Sequence, residues 1–244
     1  MLSRYLPIFI LLSIIAEILG TVGGFGSSVF FVPMASYFMD FQTVLGITAL
    51  FHLSSNITKI GFFKKGFDKE LMIYLGIPAV LFVSLGAFLS KYANPAILTL
   101  VLGIFLVAFA LLFLINKNLK VGPTKKNAFI GGSLSGLFAG VLGTGGAIRG
   151  ATMTAFNLNK EKFIATSAII DLGIDLSRSI IYTYNGYVHK HDLYLIPILI
   201  GVSIVGTYLG KKVLDKITQA QFKRFVLFLL LGIGVLTIVV NLCK

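Results

Sequence analysis

Charge is what this chain has least of. Aspartate and glutamate number 9 in 244 residues, and charged residues of both signs make up 12%, against about a quarter in soluble domains. Cysteine occurs once, at Cys243, so no internal disulfide can form and the redox compartment stays open. Proline is sparse, with 6 residues, so long helices meet few of the usual breakers. No Gly-x-Ser-x-Gly, His-Glu-x-x-His or Walker A sequence occurs, and no cysteine lies inside an apolar span. These absences remove the familiar catalytic and ATP-hydrolysing sets. The expectation is a protein that is not an enzyme, has no catalytic residues and uses no cofactor or metal.

What is present is apolar. Hydrophobic residues make up 57% of the chain, with 22 Phe and 26 Gly, and the mean hydropathy is +0.94. Glycine at this level fits membrane helices, whose backbones approach closely at small residues. A net charge of +12 raises nucleic acid as a partner, but the lysines sit in short loops between apolar spans, where they set topology. The partner expected is therefore a lipid bilayer, with no nucleic acid; the oligomeric state is left open. The apolar start after Arg4 is not expected to be a cleaved signal peptide, because a counterpart recurs deep in the chain at Phe129 to Val141.

That counterpart belongs to an internal repeat. A shift of 120 places Gly20, Gly23 and Gly26 on Gly140, Gly143 and Gly146, and Tyr74 on Tyr194. A shift of 119 aligns "TALFHLSSNITK" (Thr48 to Lys59) with "SAIIDLGIDLSR" (Ser167 to Arg178). The domain reading is a first repeat over 1–116, a cytoplasmic linker over 117–126 and a second repeat over 127–244, together one integrated unit.

Each half repeats one plan. Two short apolar runs, 5–19 and 27–38, precede longer segments at 43–63, 70–90 and 95–115; in the second half the runs are 127–142, 147–157, 163–183, 193–210 and 222–242. A span needs about 20 apolar residues, so the last three of each half qualify and the first two form a glycine-broken pair. Whether such a pair is re-entrant or spans fully is left open, but the parity of its crossings can be argued. If each pair enters and leaves on one side, Lys64, Lys65, Lys69, Lys117, Lys120, Lys125, Lys126, Lys160, Lys162, Lys211, Lys212 and Lys216 share a side. Only Arg4, Lys91, Lys190 and Lys244 lie opposite. That asymmetry fits the positive-inside rule and makes the halves inverted. The fold class is thus an all-α membrane protein, a polytopic helical bundle of two homologous halves read as inverted repeats. Each half has a Gly-broken pair of short helices followed by three transmembrane helices.

The breaks, "GTVGGFGSS" and "GVLGTGGAIRG", have a physical meaning. Unpaired backbone in lipid costs several kcal/mol per group, so a break persists only where protein buries it or a wet cavity lies beside it. The helix that follows begins with free N–H groups and a partial positive charge, which suits an anion. Paired interruptions at corresponding positions point to the site of a secondary transporter. Tight helix packing at glycine is the competing explanation.

These residues carry a resemblance. "GGFGSSVFFVP" and "GTGGAIRGATM", the "TS"-type motifs "GITAL" and "ATSAI", and the loops "GFDK" and "GYVH" resemble the sulfite exporter TauE/SafE family of membrane transporters over nearly the whole chain. The first half departs at Ser27 and Ser28, where the family often has more glycine, and at Lys59 within a span. The resemblance implies export or uptake of sulfite, sulfonates or related small anions, by a multi-pass protein of a prokaryotic inner membrane.

Ionisable residues in spans are functional candidates by default. Asp171, Asp175 and Arg178 share one helix face, and His52, Asn56 and Lys59 occupy the matching positions of the first half. The candidate substrate-binding set is Gly23, Gly24, Gly26, Ser27, Ser28, Asn56, Lys59, Gly143, Thr144, Gly145, Gly146, Arg149 and Arg178. Lys59, Arg149 and Arg178 are read as counter-charges to an oxyanion, which arginine grips bidentately. His52, Asp171 and Asp175 are read as proton-coupling candidates. Plainer readings stand beside these. Asp175 and Arg178 would neutralise each other, Lys59 would snorkel to the interface, and Arg149 would be interfacial in a shallow hairpin. His52 would be a packing histidine, and Glu17 would cap opened backbone. The serines and Thr144 would bond the break itself. "HKH" at His189 to His191 reads as a solvated turn. The functions considered are a secondary oxyanion transporter, a passive anion channel and, with only His52 and Asp171 to support it, a membrane-embedded enzyme.

Overall fold

The computed structural model describes residues 2–24, 26–64, 66–116, 122–216 and 219–242. Lys65, Lys117, Lys120, Cys243, Lys244 and half of the expected linker lie outside these. Every regular element among the described residues is helical. In chain order they are α1 (Leu2–Gly23), α2 (Ser28–Ala35), α3 (Phe41–Phe62), α4 (Lys69–Leu71), α5 (Ile77–Leu89), α6 (Pro95–Ile115), α7 (Lys125–Leu142), α8 (Gly146–Thr154), α9 (Lys160–Tyr184), α10 (Leu195–Leu214) and α11 (Gln219–Leu242). A π-helical turn, Met72–Gly76, joins α4 to α5 into one rod.

The helix starts are written locally. Asp40, Asn94, Thr124 and Asn159 each accept a hydrogen bond from a backbone N–H in the first turn of α3, α6, α7 and α9, satisfying a donor that the helix cannot. Asp40 and Asn159 lie 119 residues apart, so the caps follow the same register as the repeat.

Among the described residues four helices are long and apolar enough to cross a membrane: Tyr5–Gly23, Lys69–Tyr92, Pro95–Ile115 and Leu195–Leu214. Two differences from the sequence reading follow. The first apolar run is not a short helix. It holds Glu17 and continues past residue 19 through Thr21 to Gly23, with those two polar groups turned toward α10. There a Cβ on Gly206 would lie 2.7 Å from the Glu17 side chain, and one on Gly210 2.8 Å from Thr21. Conversely α3 and α9, expected as ordinary spans, are not among the four. They are the helices that carry the polar site residues, and they pack on each other at the centre.

The main pairings are α1 on α10, α7 on α5, α3 on α9 and α6 on α11, with α3 also touching α10 and α9 touching α5. This set maps onto itself when the first five rods are exchanged with the last five. Small residues set the spacing, as expected where apolar lipid gives helices no hydrophobic reason to associate. A Cβ on Gly132, Gly136 or Gly140 of α7 would meet the carbonyl oxygen of Leu75, Ala79 or Val83 at 2.2, 2.1 or 2.4 Å. The packing role of glycine is therefore real in the helix interiors. Large apolar side chains such as Leu81, Ile97, Ile115, Ile180 and Phe228 are exposed on the outside, where hydrocarbon would cover them.

Candidate functional site

The two breaks use glycine differently from the helix interiors. Gly24 and Gly26 in the first, and Gly143 in the second, take φ values of +66°, +81° and +75°, which a side chain disfavours. Gly23 ends α1 and Gly146 starts α8. Gly145 has no room at all: a Cβ there would lie 1.9 Å from the Ser135 carbonyl oxygen. Ser135 Oγ also donates to the Gly145 carbonyl at 2.9 Å, fastening the second break to α7.

The breaks meet. Ser28 Oγ, at the start of α2, donates to Thr144 Oγ1 at 3.4 Å. A Cβ on Gly26 would stand 3.5 Å from Arg149 Nη2 and 3.6 Å from Asp171 Oδ2, so the guanidinium of α8 lies against the first break. Ser167 Oγ of α9 donates to the Gly24 carbonyl at 3.3 Å. Ser27 and Thr144 are completely buried.

Around the meeting point stand three cations, each with a carboxylate. Lys59 Nζ lies 2.8 Å from Glu17 Oε1. Arg178 Nη2 lies 2.6 Å from Asp175 Oδ1, and its Nε donates to the same oxygen at 2.7 Å. Arg149 forks onto Asp171, Nη1 to Oδ1 and Nη2 to Oδ2, and its Nε donates to Ser167 Oγ at 3.2 Å. Five of these six side chains are all but inaccessible; Asp171 retains 15% exposure, so the one carboxylate with an open side is the one held by a two-pronged arginine. The pairing is what low dielectric demands, since an isolated buried charge is far more costly than a matched one.

The remaining candidates join this frame. Asn56 Nδ2 of α3 donates to Asp175 Oδ2 of α9 at 2.6 Å. Arg178 Nη1 donates to the Gly143 carbonyl at 2.7 Å and to that of Ala139 at 3.4 Å, holding the broken end of α7. Ser27 Oγ donates to Glu17 Oε2 and lies 3.1 Å from His52 Nε2. His52 is buried between Ser27 and the rings of Phe31 and Phe51.

Several plainer readings are settled by these contacts. Lys59 does not snorkel: it is 4% exposed and turned inward. Arg149, at 1% exposure, is not interfacial. Among the described residues Glu17 caps no backbone group. It accepts from Ser27, Ser55 and Thr207 as well as pairing with Lys59, so it is the hub of the α1–α3–α10 contact. Asp175 and Arg178 do pair with each other. Sequence reasoning missed Ser55, Ser135, Ser167, Tyr182 and Thr207. Tyr182 donates its hydroxyl to the Gly140 carbonyl at 2.6 Å. The signal available for Ser167 and Tyr182 was helical spacing: Ser167, Asp171, Asp175, Arg178 and Tyr182 lie on one face of α9.

A shell of outward apolar helices around a buried, charge-balanced polar centre, built where two broken helices meet, defines an integral membrane protein of the broken-helix class. The family model described as Sulfite exporter TauE/SafE matches residues 9–237. The chain belongs to that family of membrane transporters, and it is accordingly a transporter and not an enzyme. No curated protein and no solved structure matches it.

Proposed function

We propose that this chain is a secondary transporter of a small oxyanion, sulfite or an organosulfonate, bound where the two breaks meet. The observation that carries this reading is the Arg149–Asp171 fork at Gly26. A guanidinium already set to grip two oxygens of a carboxylate is set to grip two oxygens of a sulfite or sulfonate. Gly26 leaves space beside it that any side chain would fill.

Charge counting supplies the coupling. Lys59, Arg149 and Arg178 against Glu17, Asp171 and Asp175 sum to zero with His52 neutral. Adding a bare anion would leave one uncompensated charge in a low-dielectric centre, at a cost of several kcal/mol. A proton arriving with the anion removes that cost. In the proposed cycle Asp171 takes the proton, releases Arg149, and the oxyanion takes its place; release of anion and proton restores the fork. His52 and Asp175 are the other proton candidates. Lys59 and Arg178 act in this scheme mainly by holding the breaks, through Glu17 and through the Gly143 carbonyl. The site residues, the two-repeat division and the inverted arrangement form one proposal. It is supported by the self-mapping helix pairings and by the contact between Asn56 and Asp175.

The test is transport into proteoliposomes. Labelled sulfite and a labelled sulfonate should accumulate when an inward proton gradient is imposed, and Arg149→Gln should abolish both. The sulfonate keeps one charge at every working pH, so a proton effect on it belongs to the protein. Flux that ignores the gradient would mark a channel, and absence of any anion flux from well-folded protein would refute the reading.

A further inference from the structure

On a different part of the molecule, the segment between α9 and α10 gathers three metal-ligating side chains. His189, His191 and Asp192 each offer a ligand atom, and these atoms lie within 4.8 Å of one another. Asp192 Oδ2 is buried and makes no hydrogen bond, in a residue only 8% exposed. It faces His189 Nδ1 at 3.6 Å and His191 Nε2 at 3.3 Å. An orphaned buried carboxylate oxygen calls for a partner, and here two imidazoles stand around it.

We propose that His189, His191 and Asp192 form a binding site for a divalent transition-metal ion, zinc being the best fit. Two nitrogens and one carboxylate oxygen are the donors that zinc takes when it keeps a fourth position for water. The geometry agrees: a tetrahedral ion with bonds of about 2.0–2.2 Å has ligand-to-ligand edges of about 3.4 Å. The two edges at Asp192 Oδ2, 3.3 and 3.6 Å, already have that length. The edge between the imidazoles lies within 4.8 Å, and His191, whose side chain is 78% exposed, is free to swing. Thr43 Oγ1, which donates to Asp40 Oδ2 at 2.6 Å, lies 3.2 Å from the same His189 Nδ1; an ion on Nδ1 would take the place of that contact.

The position gives the ion a task. Asp40 caps α3, and the same segment before α10 lies across that helix, where a Cβ on Gly46 would meet the Tyr187 carbonyl at 2.7 Å. A bound ion would fix the shape of this segment where it lies across α3, away from the proposed anion site and without contacting it.

The experiment uses full-length protein in detergent, carrying a purification tag without histidine, stripped with a chelator and then titrated with Zn²⁺ against a chromophoric competitor. One equivalent should bind per chain. His191→Ala and Asp192→Asn should each weaken binding at least about tenfold, since even lost outer-shell partners cost that much. Replacing zinc by Co²⁺ should give the visible absorption of a four-coordinate site, lost in His191→Ala. That variant alters an exposed side chain and should stay folded, as circular dichroism would show. Failure to bind one equivalent, or equal binding by wild type and both variants, would overturn the proposal and leave the anion site untouched.

Discussion

Asn56 and Asp175 hydrogen-bond to each other at 2.6 Å although 119 residues separate them, and 119 is also the shift that aligns the stretches in which they lie. Two positions that correspond in a repeat can touch only if they lie near the axis relating its parts. This pair therefore marks where such an axis would pass, between α3 and α9, beside the breaks. Asp175 serves two masters there, the amide of Asn56 and the guanidinium of Arg178.

Asp175→Asn should be more damaging than Asn56→Leu. The former strands a buried arginine, at a cost of about 3–5 kcal/mol; the latter leaves Asp175 its charged partner and loses one hydrogen bond, about 1–3 kcal/mol. Thermal unfolding in detergent, followed by far-ultraviolet circular dichroism, orders the two. Equal losses would deny Asp175 its role as counter-charge.

Glu17→Gln leaves Lys59 without its carboxylate and should destabilise by a similar amount, whereas Glu17→Gln combined with Lys59→Met should recover most of the loss. A matched apolar or neutral pair commonly replaces a buried ion pair with little penalty. The double-mutant cycle reads the coupling directly. Additive losses would mean that the two side chains act independently.

How much of this was legible beforehand differs by feature. The breaks were legible because backbone geometry restricts their residue type: Gly24, Gly26 and Gly143 announce φ values that other residues avoid. The polar face of α9 was legible from helical spacing. The pairings were not. Glu17 sits in an apolar run with no counterpart in the second half, and its partner Lys59 comes from another helix. Asp171 shares a face with Arg178 but is claimed by Arg149 of α8. Such choices depend on which helices cross, and periodicity within one helix carries no information about that. α1 looked short because its apolar run stops at the glycine-rich stretch from Gly20, whereas the helix continues through Thr21 to Gly23, where α10 packs on it.

Glycine substitutions should separate sharply by place. Gly145→Ala drives a Cβ into the Ser135 carbonyl, a backbone atom in a close-packed interior that has no easy way to yield. Gly61→Ala meets nothing within 4 Å and should leave stability level or raise it by about 0.5–1 kcal/mol, the usual gain inside a helix. Yield of monodisperse protein after detergent extraction checks both. A tolerated Gly145→Ala would contradict the packing of the second break.

Acid should weaken one contact between the α3–α4 loop and α9. Burial alone would raise the Asp68 carboxyl, but the Leu71 N–H and the Lys162 ammonium 3.0 Å away outweigh it and hold it below the usual carboxylate range. A depressed carboxylate stabilises the fold above its unfolded value, near pH 4, and the contribution fades as pH falls through the lower folded value. The pair is partly exposed, so the effect is about 1 kcal/mol or less. Wild type should exceed Asp68→Asn in stability at neutral pH, and the gap should close on acidification. A gap that widens in acid would reverse the assignment.

The central claim is that an oxyanion takes the place of Asp171 on Arg149. Equilibrium binding of a labelled sulfonate to purified protein addresses it most directly, with wild type, Arg149→Gln and Asp171→Asn compared at one pH. The expected result is binding lost in Arg149→Gln and retained or tightened in Asp171→Asn, where the internal competitor has lost its charge. Unchanged binding in a folded Arg149→Gln protein would contradict the account.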